Sequence, residues 1–525
     1  MMRSLSSLRA RRRPAPPAPA PLALALALAT GSGVAGAATY KVGPGERYAQ
    51  PEEVADLLAP GDVVELAGGQ TYRPVHFRES GTAAAKITIR GVMVDGKRPV
   101  LAGGEYTAIF DGDHYVAENL EITGGSETCL IHKGDDLTVR NALVHDCAQH
   151  GILSNDDEAG SLTIEYSEVY GCGRDLLNHQ VYITANSEVY PDAVFRLQHS
   201  YVHDANGGNN VKSRARRNEI YYNWVEGALF HALDLIGPDN GERYGGPRED
   251  SDVVGNVLWV TGEWQAARIG GDGTGATGGR YRFVNNTVIM AGASDVAIRL
   301  QEEVESLELH NNVFFAPGGG EIQLVRESEM TWVGAGPGLV GSNNWVQDGW
   351  VAVPETLSDT RRGADPGFRD LEAGDLRPTA GSALVNGSAA QLAGPSGREF
   401  PAPLAAAQCL PPPRSLQGAG ESISRSNAGG ADIGAFEADD GSTGATGCAS
   451  PPPNVGSGPT SAPPRGAPPG GAPPGGKAST EAPAGTSLGG GCATAPAPQP
   501  RALAPFALAL GALLASRRAR RGPRG

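Results

Sequence analysis

One position in a series of short apolar segments carries residues that could act on an acidic ligand. Each segment alternates in polarity, and its apolar residues bracket one residue that we expect to face outward. The bracketed residues are Tyr182, Lys212, Asp234, Arg268, Arg299 and Gln323. If the segments stack as parallel strands, these residues form one column with steps of about 4.8 Å. Cations around one carboxylate, with aromatic residues nearby, suit the binding of an acidic polysaccharide.

The column also predicts a reaction. In β-elimination of a uronide, the C5 proton becomes acidic once the adjacent carboxylate is neutralised, and a base then removes it. We expect Lys212 to be this base, because nearby arginines lower its pKa, and Arg268 to pair with the substrate carboxylate. His231 and Tyr182 are reserve acid–base groups, and Asp234 is the one carboxylate of the column. Substrate contacts are further expected from Arg214, Arg217, Arg299, Trp259 and Trp264.

Other interpretations stay open. Alternating charges on a parallel sheet stabilise it modestly, so the column has a purely structural explanation as well. A glycoside hydrolase needs two carboxylates at a set separation. Because the column contains one, we rank a hydrolase below a lyase. A non-catalytic glycan-binding protein or adhesin is the third class. No metal is assigned, although Ca²⁺ ligands of a lyase could come from the Asn-Asp-Asp-Glu run at 155–158.

The elements that would position the column are sequence repeats. A polar residue, usually Asn, precedes a short alternating strand and then a turn, at intervals from 22 residues (Ile122 to Val144) to 33 residues (Val169 to Val202). Amphipathic helices are missing from every period, which argues against a helical solenoid. Stacked coils would bury one continuous core. The Asn side chains should form a ladder at one corner, from Asn119, Asn141, Asn223, Asn256, Asn286 and Asn312.

Several motifs resemble one superfamily. Pro60–Leu66 opens the repeats, while Ala364–Phe368 and Asp432–Glu437 close them. The stretch from Tyr40 to about Glu437 resembles the bacterial right-handed parallel β-helix, pectate-lyase-like superfamily. This resemblance implies an all-β fold, a single right-handed parallel β-helix with an N-terminal cap and an irregular closing segment. The superfamily contains lyases, hydrolases, epimerases and adhesins, so the resemblance does not select a reaction.

A second, shorter resemblance concerns the segment around Lys212. The segment Asn210–Ser213 resembles the "KS" segment of the lyase family that contains alginate lyases and chondroitinase B. In that family the Lys is the base, and an Arg about one coil later assists it. Here Leu233 occupies the one-coil position, and the acidic calcium ligands that would precede the Lys are replaced by Ala205 and Gly207.

The cysteines predict disulfides. Cys147 and Cys172 occupy matching positions of consecutive coils, so we expect them to be bridged. Cys409 and Cys448 flank the closing segment and are a possible second pair. Cys129 then remains as a buried thiol or as a competitor for Cys147.

Both ends of the chain predict export and attachment to the cell surface. Arginines, a short apolar run and an Ala-Gly-Ala site at 35–37 are typical of a signal peptide. Eleven prolines in residues 449–491 predict an extended spacer. Gly491-Cys492, an apolar run and closing arginines resemble the myxobacterial C-terminal sorting signal. By that resemblance, Cys492 is the anchoring residue, the sorting machinery of the cell envelope is a partner, and the C-terminal segment meets the membrane.

The whole-chain composition supports this organisation. A net charge of −15 over 525 residues argues against a nucleic-acid partner. We expect an exported, surface-anchored or extracellular monomer. The predicted parts are a signal peptide (1–37), an N-terminal cap (38–59), the β-helix (60–345), a closing segment (346–448), a Pro/Gly-rich linker (449–491) and a sorting or anchoring segment (492–525).

Overall fold

The computed structural model describes residues 36–154, 158–237, 249–272, 277–328, 330–333, 336–398, 407–426, 429–438 and 448. They belong to one compact unit, Met1–Thr460. Nearly all of the predicted signal peptide, the predicted linker, Cys492 and the segment that follows lie outside the described residues. Within the described part of the chain, no helix has the length and apolar character needed to span a membrane.

The chain forms a right-handed parallel β-helix, as the sequence predicted. Each coil contributes one strand to each of three long parallel sheets, which we name A, B and C. Sheet A contains β1 (Thr39–Val42), β2 (Val63–Ala67), β5 (Ile87–Val92), β8 (Tyr115–Glu118), β11 (Leu137–Arg140), β14 (Leu162–Glu165), β17 (Phe195–Gln198), β20 (Arg217–Tyr221), β23 (Asp250–Val254), β26 (Gly279–Val284), β29 (Val304–His310), β32 (Leu339–Ser342) and β34 (Leu357–Ser358).

The other two sheets follow in every coil. Sheet B contains β3 (Thr71–Tyr72), β6 (Val100–Ala102), β9 (Glu121–Thr123), β12 (Leu143–His145), β15 (Glu168–Tyr170), β18 (Tyr201–His203), β21 (Trp224–Glu226), β24 (Val257–Val260), β27 (Thr287–Met290), β30 (Val313–Phe315), β33 (Trp345–Gln347) and β35 (Arg361–Gly363). Sheet C contains β4 (Val75–Phe77), β7 (Tyr106–Phe110), β10 (Thr128–His132), β13 (His150–Ser154), β16 (Val181–Ile183), β19 (Val211–Ser213), β22 (Leu233–Ile236), β25 (Ala267–Gly270), β28 (Val296–Leu300) and β31 (Gln323–Glu327).

The core runs through the centre of the coils. Strands this short cannot bury a face alone, so each inward side chain packs on its equivalents in the neighbouring coils. In sheet B, for example, Val144, Val169, Val202 and Val225 are register partners in turn, and all four are fully buried.

The predicted corner ladder exists, but two of its members were wrong. Asn223 donates to Asn256, and the series continues through Asn286 and Asn312 to Asn344, with each Nδ2 at 2.9–3.1 Å from Oδ1 of the Asn in the next coil. Asn119 and Asn141 instead occupy the preceding turn position, where φ is positive. Asn tolerates this left-handed conformation as well as the ladder position, so the sequence pattern could not separate them.

The predicted N-terminal cap (38–59) contains one short helix, α1 (Glu52–Ala55). Its Val54 and Ala55 are buried in the core cluster.

The closing segment packs on the outer face of sheet B. An apolar cluster joins outward residues of that sheet, such as Trp224, Ile289 and Trp345, to Leu384 and Ile433 of the segment. The segment also contains one antiparallel pair, β36 (Phe368–Asp370) with β37 (Asp375–Pro378). Much of sheet B is therefore covered, whereas most outward residues of sheet C from β7 onward keep partial exposure.

The predicted Cys147–Cys172 bridge was wrong. Cys147 is joined to Cys129, with 5.6 Å between the Cα atoms, and Cys172 is a buried free thiol. The Sγ atoms of Cys147 and Cys172 each lie near the carbonyl two residues earlier, so the two side chains run side by side instead of toward each other. The possible Cys409–Cys448 bridge is present.

Candidate functional site

The outward column of sheet C is assembled largely as the spacing indicated. Register pairs Tyr182 with Lys212, Lys212 with Asp234, Asp234 with Arg268, and Arg268 with Arg299. The next partner is Arg326, so the sequence assignment of Gln323 to this position was wrong. Two consecutive buried residues, Leu324 and Val325, interrupt the alternation of inward and outward residues in this strand. The sequence pattern therefore indicated the wrong outward residue. We call these residues the sheet C column: Tyr182, Lys212, Asp234, Arg268, Arg299 and Arg326.

Lys212 is the most unusual group of the column. Its Nζ lies 4.6 Å from the ring centroid of Tyr182, a cation–π contact. Among the described residues it makes no hydrogen bond or ion pair. Burial lowers the pKa of Lys212, and Arg214 and Arg268 add to this, while Asp234 opposes it. The direction agrees with the sequence-based expectation, but burial contributes more than the arginines.

Asp234 is fully buried, although its position in the column suggested an exposed carboxylate. Arg268 covers it with two hydrogen bonds, Nε to Oδ1 at 2.5 Å and one terminal nitrogen to Oδ2 at 2.7 Å. Asn209 donates to Oδ2 as well, at 2.8 Å. Burial alone would raise the pKa of Asp234, but the charge and hydrogen bonds of Arg268 lower it overall. Asp234 is therefore paired with Arg268 and shielded from solvent.

Arg214 reaches the column from the end of β19. Its Nε donates to the hydroxyl of Tyr182 at 3.1 Å, and a terminal nitrogen lies 2.7 Å from Asp272. Its side chain is only 5% exposed. Arg214 therefore holds the Tyr182 hydroxyl in place and adds positive potential beside Lys212.

A row of residues before the sheet C strands was missed by the sequence analysis. The backbone N–H of His179 donates to Nδ1 of His150, and that of Asn209 donates to Nδ1 of His179, at 3.1 and 3.0 Å. An Nδ1 that accepts carries no proton, so Nε2 of these neutral rings carries it. Burial lowers the pKa of His150 to about 4 and that of His179 to about 3. His179 and Asn209 each lie two residues before a sheet C strand, and His150 is their register equivalent at the start of β13; this spacing was the available signal.

His231 continues this row and is not an exposed acid–base group. It is almost fully buried, and its backbone N–H donates to Oδ1 of Asn209 at 3.0 Å. Burial lowers the pKa of His231 to about 4. Next to it, Trp264 stacks on Phe230 with 4.4 Å between ring centroids, which places an aromatic wall along this edge of the column.

Two predicted substrate contacts lie on other faces of the coil. Arg217 begins β20 of sheet A and pairs with Asp252 at 2.6 Å. Trp259 lies in sheet B, where Arg414 of the closing segment packs 4.5 Å from its ring centroid. The structure therefore does not bring these two residues to the sheet C column, because a coil turns away from sheet C within a few residues.

The cationic end of the column is formed by Arg299 and Arg326. Arg299 makes no hydrogen bond or ion pair within the described part of the chain. Burial lowers its pKa, and the charges of Arg326 and Arg268 lower it further. Arg326 approaches Asp295 only to 3.8 Å, and both side chains are exposed.

A Ca²⁺ site was the one metal site that the sequence suggested. The described residues contain no group of three or more His, Cys, Asp or Glu side chains arranged to hold a metal ion. Residues 155–157 of the suggested calcium run lie outside the described residues, and Glu158 is 3.5 Å from Lys133. The residues that are described therefore do not fit a Ca²⁺ site.

Comparisons with known proteins give structural neighbours only. No protein-family model matches the chain, and no curated protein matches it. A crystal structure of pectate lyase Pel9A is 13% identical, with a TM-score of 0.39 over 76% of this chain and 96% of that chain. The complex of XylC with xylose has 10% identity and a TM-score of 0.41, over 62% and 86% of the two chains. The PL6 family polysaccharide lyase Pedsa3628 from Pseudopedobacter saltans has 14% identity and a TM-score of 0.39, over 59% and 89%.

Proposed function

We propose that this protein acts on an acidic polysaccharide along the sheet C column, by β-elimination. The observation that carries the proposal is the run of Arg268, Arg299 and Arg326 on three successive coils with no carboxylate between them in the column. Like charges at this spacing are unfavourable in an isolated sheet, so they favour a polyanionic ligand. Each coil advances about 4.8 Å, which is comparable to one sugar unit of an extended chain.

Sheet A supplies the contrast. A ladder that only stabilises a sheet should alternate in sign or pair each like charge with a counter-ion. On the outer face of sheet A, Arg217 bridges the like-charged neighbours Glu219 and Asp252, and another column of register partners alternates in sign. They run in the order Glu65, Arg90, Glu118, Arg140 and Glu165. Arg90 and Arg140 each bond a neighbouring carboxylate, at 2.6 and 2.5 Å. The arginine end of the sheet C column departs from this pattern, which argues against a purely structural role.

Lys212 supports the catalytic part of the proposal. A base must be neutral to accept a proton, and a lowered pKa increases the neutral fraction near neutral pH. Its amine would remove the C5 proton of a uronide. Arg214 and Arg268 would stabilise the charge that develops on the substrate carboxylate. The Tyr182 hydroxyl, positioned by Arg214, would donate a proton to the departing oxygen.

The geometry weighs against the hydrolase alternative. A glycosidase needs two carboxyl groups that flank the scissile bond. The one carboxylate of the sheet C column, Asp234, is fully buried beneath Arg268 and cannot meet a substrate. A non-catalytic glycan-binding protein would use the same arginines and remains the second candidate function, favoured by the absence of a partner for Arg299 within the described residues.

The deciding experiment incubates the purified protein with a panel of acidic polysaccharides. A lyase produces the ultraviolet absorbance of an unsaturated uronide. Retention on the polysaccharide without this absorbance supports the binding protein instead. New reducing ends without the absorbance, or no interaction with any acidic polysaccharide, would contradict the proposal.

A further inference from the structure

The outer face of sheet C changes from apolar to cationic at Lys212. The register that joins Lys212 to Tyr182 continues backward through Leu153, Ile131 and Ile109. We call Ile109, Ile131, Leu153 and Tyr182 the apolar half, and Arg268, Arg299 and Arg326 the cationic half. Lys212 therefore lies at the boundary between two chemically different halves of one continuous strip.

The groups around the apolar half are acidic or already paired. Glu105 and Glu127 stand immediately before the first two strands of the apolar half, stacked through a backbone hydrogen bond of 3.0 Å. Glu127 accepts a hydrogen bond from the Tyr106 hydroxyl, and the pKa of Tyr106 is raised to about 12 by burial and by these two carboxylates. His76 is the register partner of Ile109 at the end of the strip and pairs with Asp111, and on the opposite edge Lys133 pairs with Glu158. The apolar half thus has no unpaired cation at these edges and has two nearby carboxylates.

We propose that the ligand is anionic on one side of Lys212 only. Its chemical class is a polysaccharide in which an anionic block, lying on the cationic half, is joined to a block whose carboxylates are esterified or absent, lying on the apolar half. This inference rests on the proposed function, because it takes a polysaccharide in this strip as its starting point. It goes further by assigning a different composition to the two ends of the bound chain.

The two halves would recognise the two blocks by different forces. A carboxylate placed over Ile109, Ile131 and Leu153 would lose water without gaining a hydrogen bond, and it would face Glu105 and Glu127. The C–H faces of an uncharged sugar can instead pack against these side chains and the Tyr182 ring. The continuity of the strip with the cationic half indicates that one chain occupies both.

The test compares two probes of equal length on the full chain. One is a fully charged oligogalacturonate, and the other carries methyl esters on one contiguous half. Lys212→Ala protein is used for both, so that turnover does not change the probes during calorimetry. We expect the half-esterified oligomer to bind roughly threefold or more tightly, because esterification removes like-charge contacts in the apolar half. Mannuronate, guluronate and glucuronate oligomers extend the comparison if galacturonate does not bind.

Matched variants locate the preference on the strip. Leu153→Lys should abolish it, because a cation then stands in the apolar half, and Ile109→Lys is the second variant if the first is unstable. Thr88→Lys adds the same charge to the outer face of sheet A and should leave the preference intact. Equal or tighter binding of the fully charged oligomer would overturn this inference and leave the proposed function standing. Failure of every uronide probe to bind would overturn both.

Discussion

At the scale of single residues, Lys212 combines partial burial with a missing partner. Its ammonium touches the Tyr182 ring and makes no ion pair among the described residues. Since the side chain faces outward, Lys212→Ala should change the free energy of unfolding by no more than about 0.5 kcal/mol. If Lys212 is the base, turnover should fall roughly 10²- to 10⁴-fold. Denaturant unfolding and steady-state kinetics test the two parts, with exposed Lys41→Ala as control.

The lowered pKa of Lys212 has a definite pH signature. The rate should increase with pH as the amine loses its proton, with a midpoint below the 10.5 of an unperturbed lysine. The stability effect has a known sign, because the folded protein binds fewer protons than the unfolded chain between the two pKa values. Lys212 therefore costs stability at lower pH, and that cost disappears as pH rises toward the unfolded pKa. A rate profile that stays flat through this region would contradict the base assignment.

Arg268 should matter for stability, unlike Lys212. Removing it in Arg268→Met leaves a fully buried Asp234 carboxylate that keeps the neutral amide of Asn209 as a donor. Breaking a buried pair in this way costs about 3–5 kcal/mol, and the 21% exposure of Arg268 places the value toward the lower end. Arg299→Met is the matched control, and it should stay within about 0.5 kcal/mol. Equal effects of the two substitutions in denaturant unfolding would argue against a special role of the Asp234 pair.

At the scale of strands, the sequence predicted the fold better than the site. Alternation identified the inward residues of the short strands, and the stacking of Val144 on Val169 followed from their spacing. The alternation could not show that Arg268 covers Asp234, because this contact depends on the conformations of long side chains. It also could not identify His179, whose role comes from a backbone N–H of the next coil.

The disulfide shows the same limit. Matching positions placed Cys147 and Cys172 one strand apart, but side-chain direction joins Cys147 to Cys129 across a corner of the coil. We expect peptide mapping to recover Cys129–Cys147 with Cys172 as a thiol. The bridge spans 18 residues of sequence, so Cys147→Ser should cost about 3 kcal/mol in the chain-entropy model. Cys172→Ala is the milder control. Recovery of a Cys147–Cys172 peptide would contradict this assignment.

At the scale of the whole molecule, the two ends of the chain indicate the cellular location of the protein. We propose that the protein is exported and held at the cell surface, on the basis of the N-terminal apolar run and the sequence around Cys492. Cys492→Ala should then release the folded protein from the surface without changing its melting temperature. Cell fractionation measures the first effect and thermal unfolding the second, while unchanged surface retention would count against the proposal.

The overall charge makes the cationic half a local exception. The chain carries −15, so long-range electrostatics repel a polyanion, and the arginine run attracts it locally. Binding of a uronide oligomer should therefore weaken as salt rises, because salt screens exposed charges. Substituting Arg299 and Arg326 together by Gln should lower affinity at low salt and flatten this dependence. Arg90→Gln removes a cation that already pairs with Glu118 on sheet A, and it should leave the salt dependence unchanged. Identical salt profiles for the double variant and Arg90→Gln would place the ligand on another face of the coil.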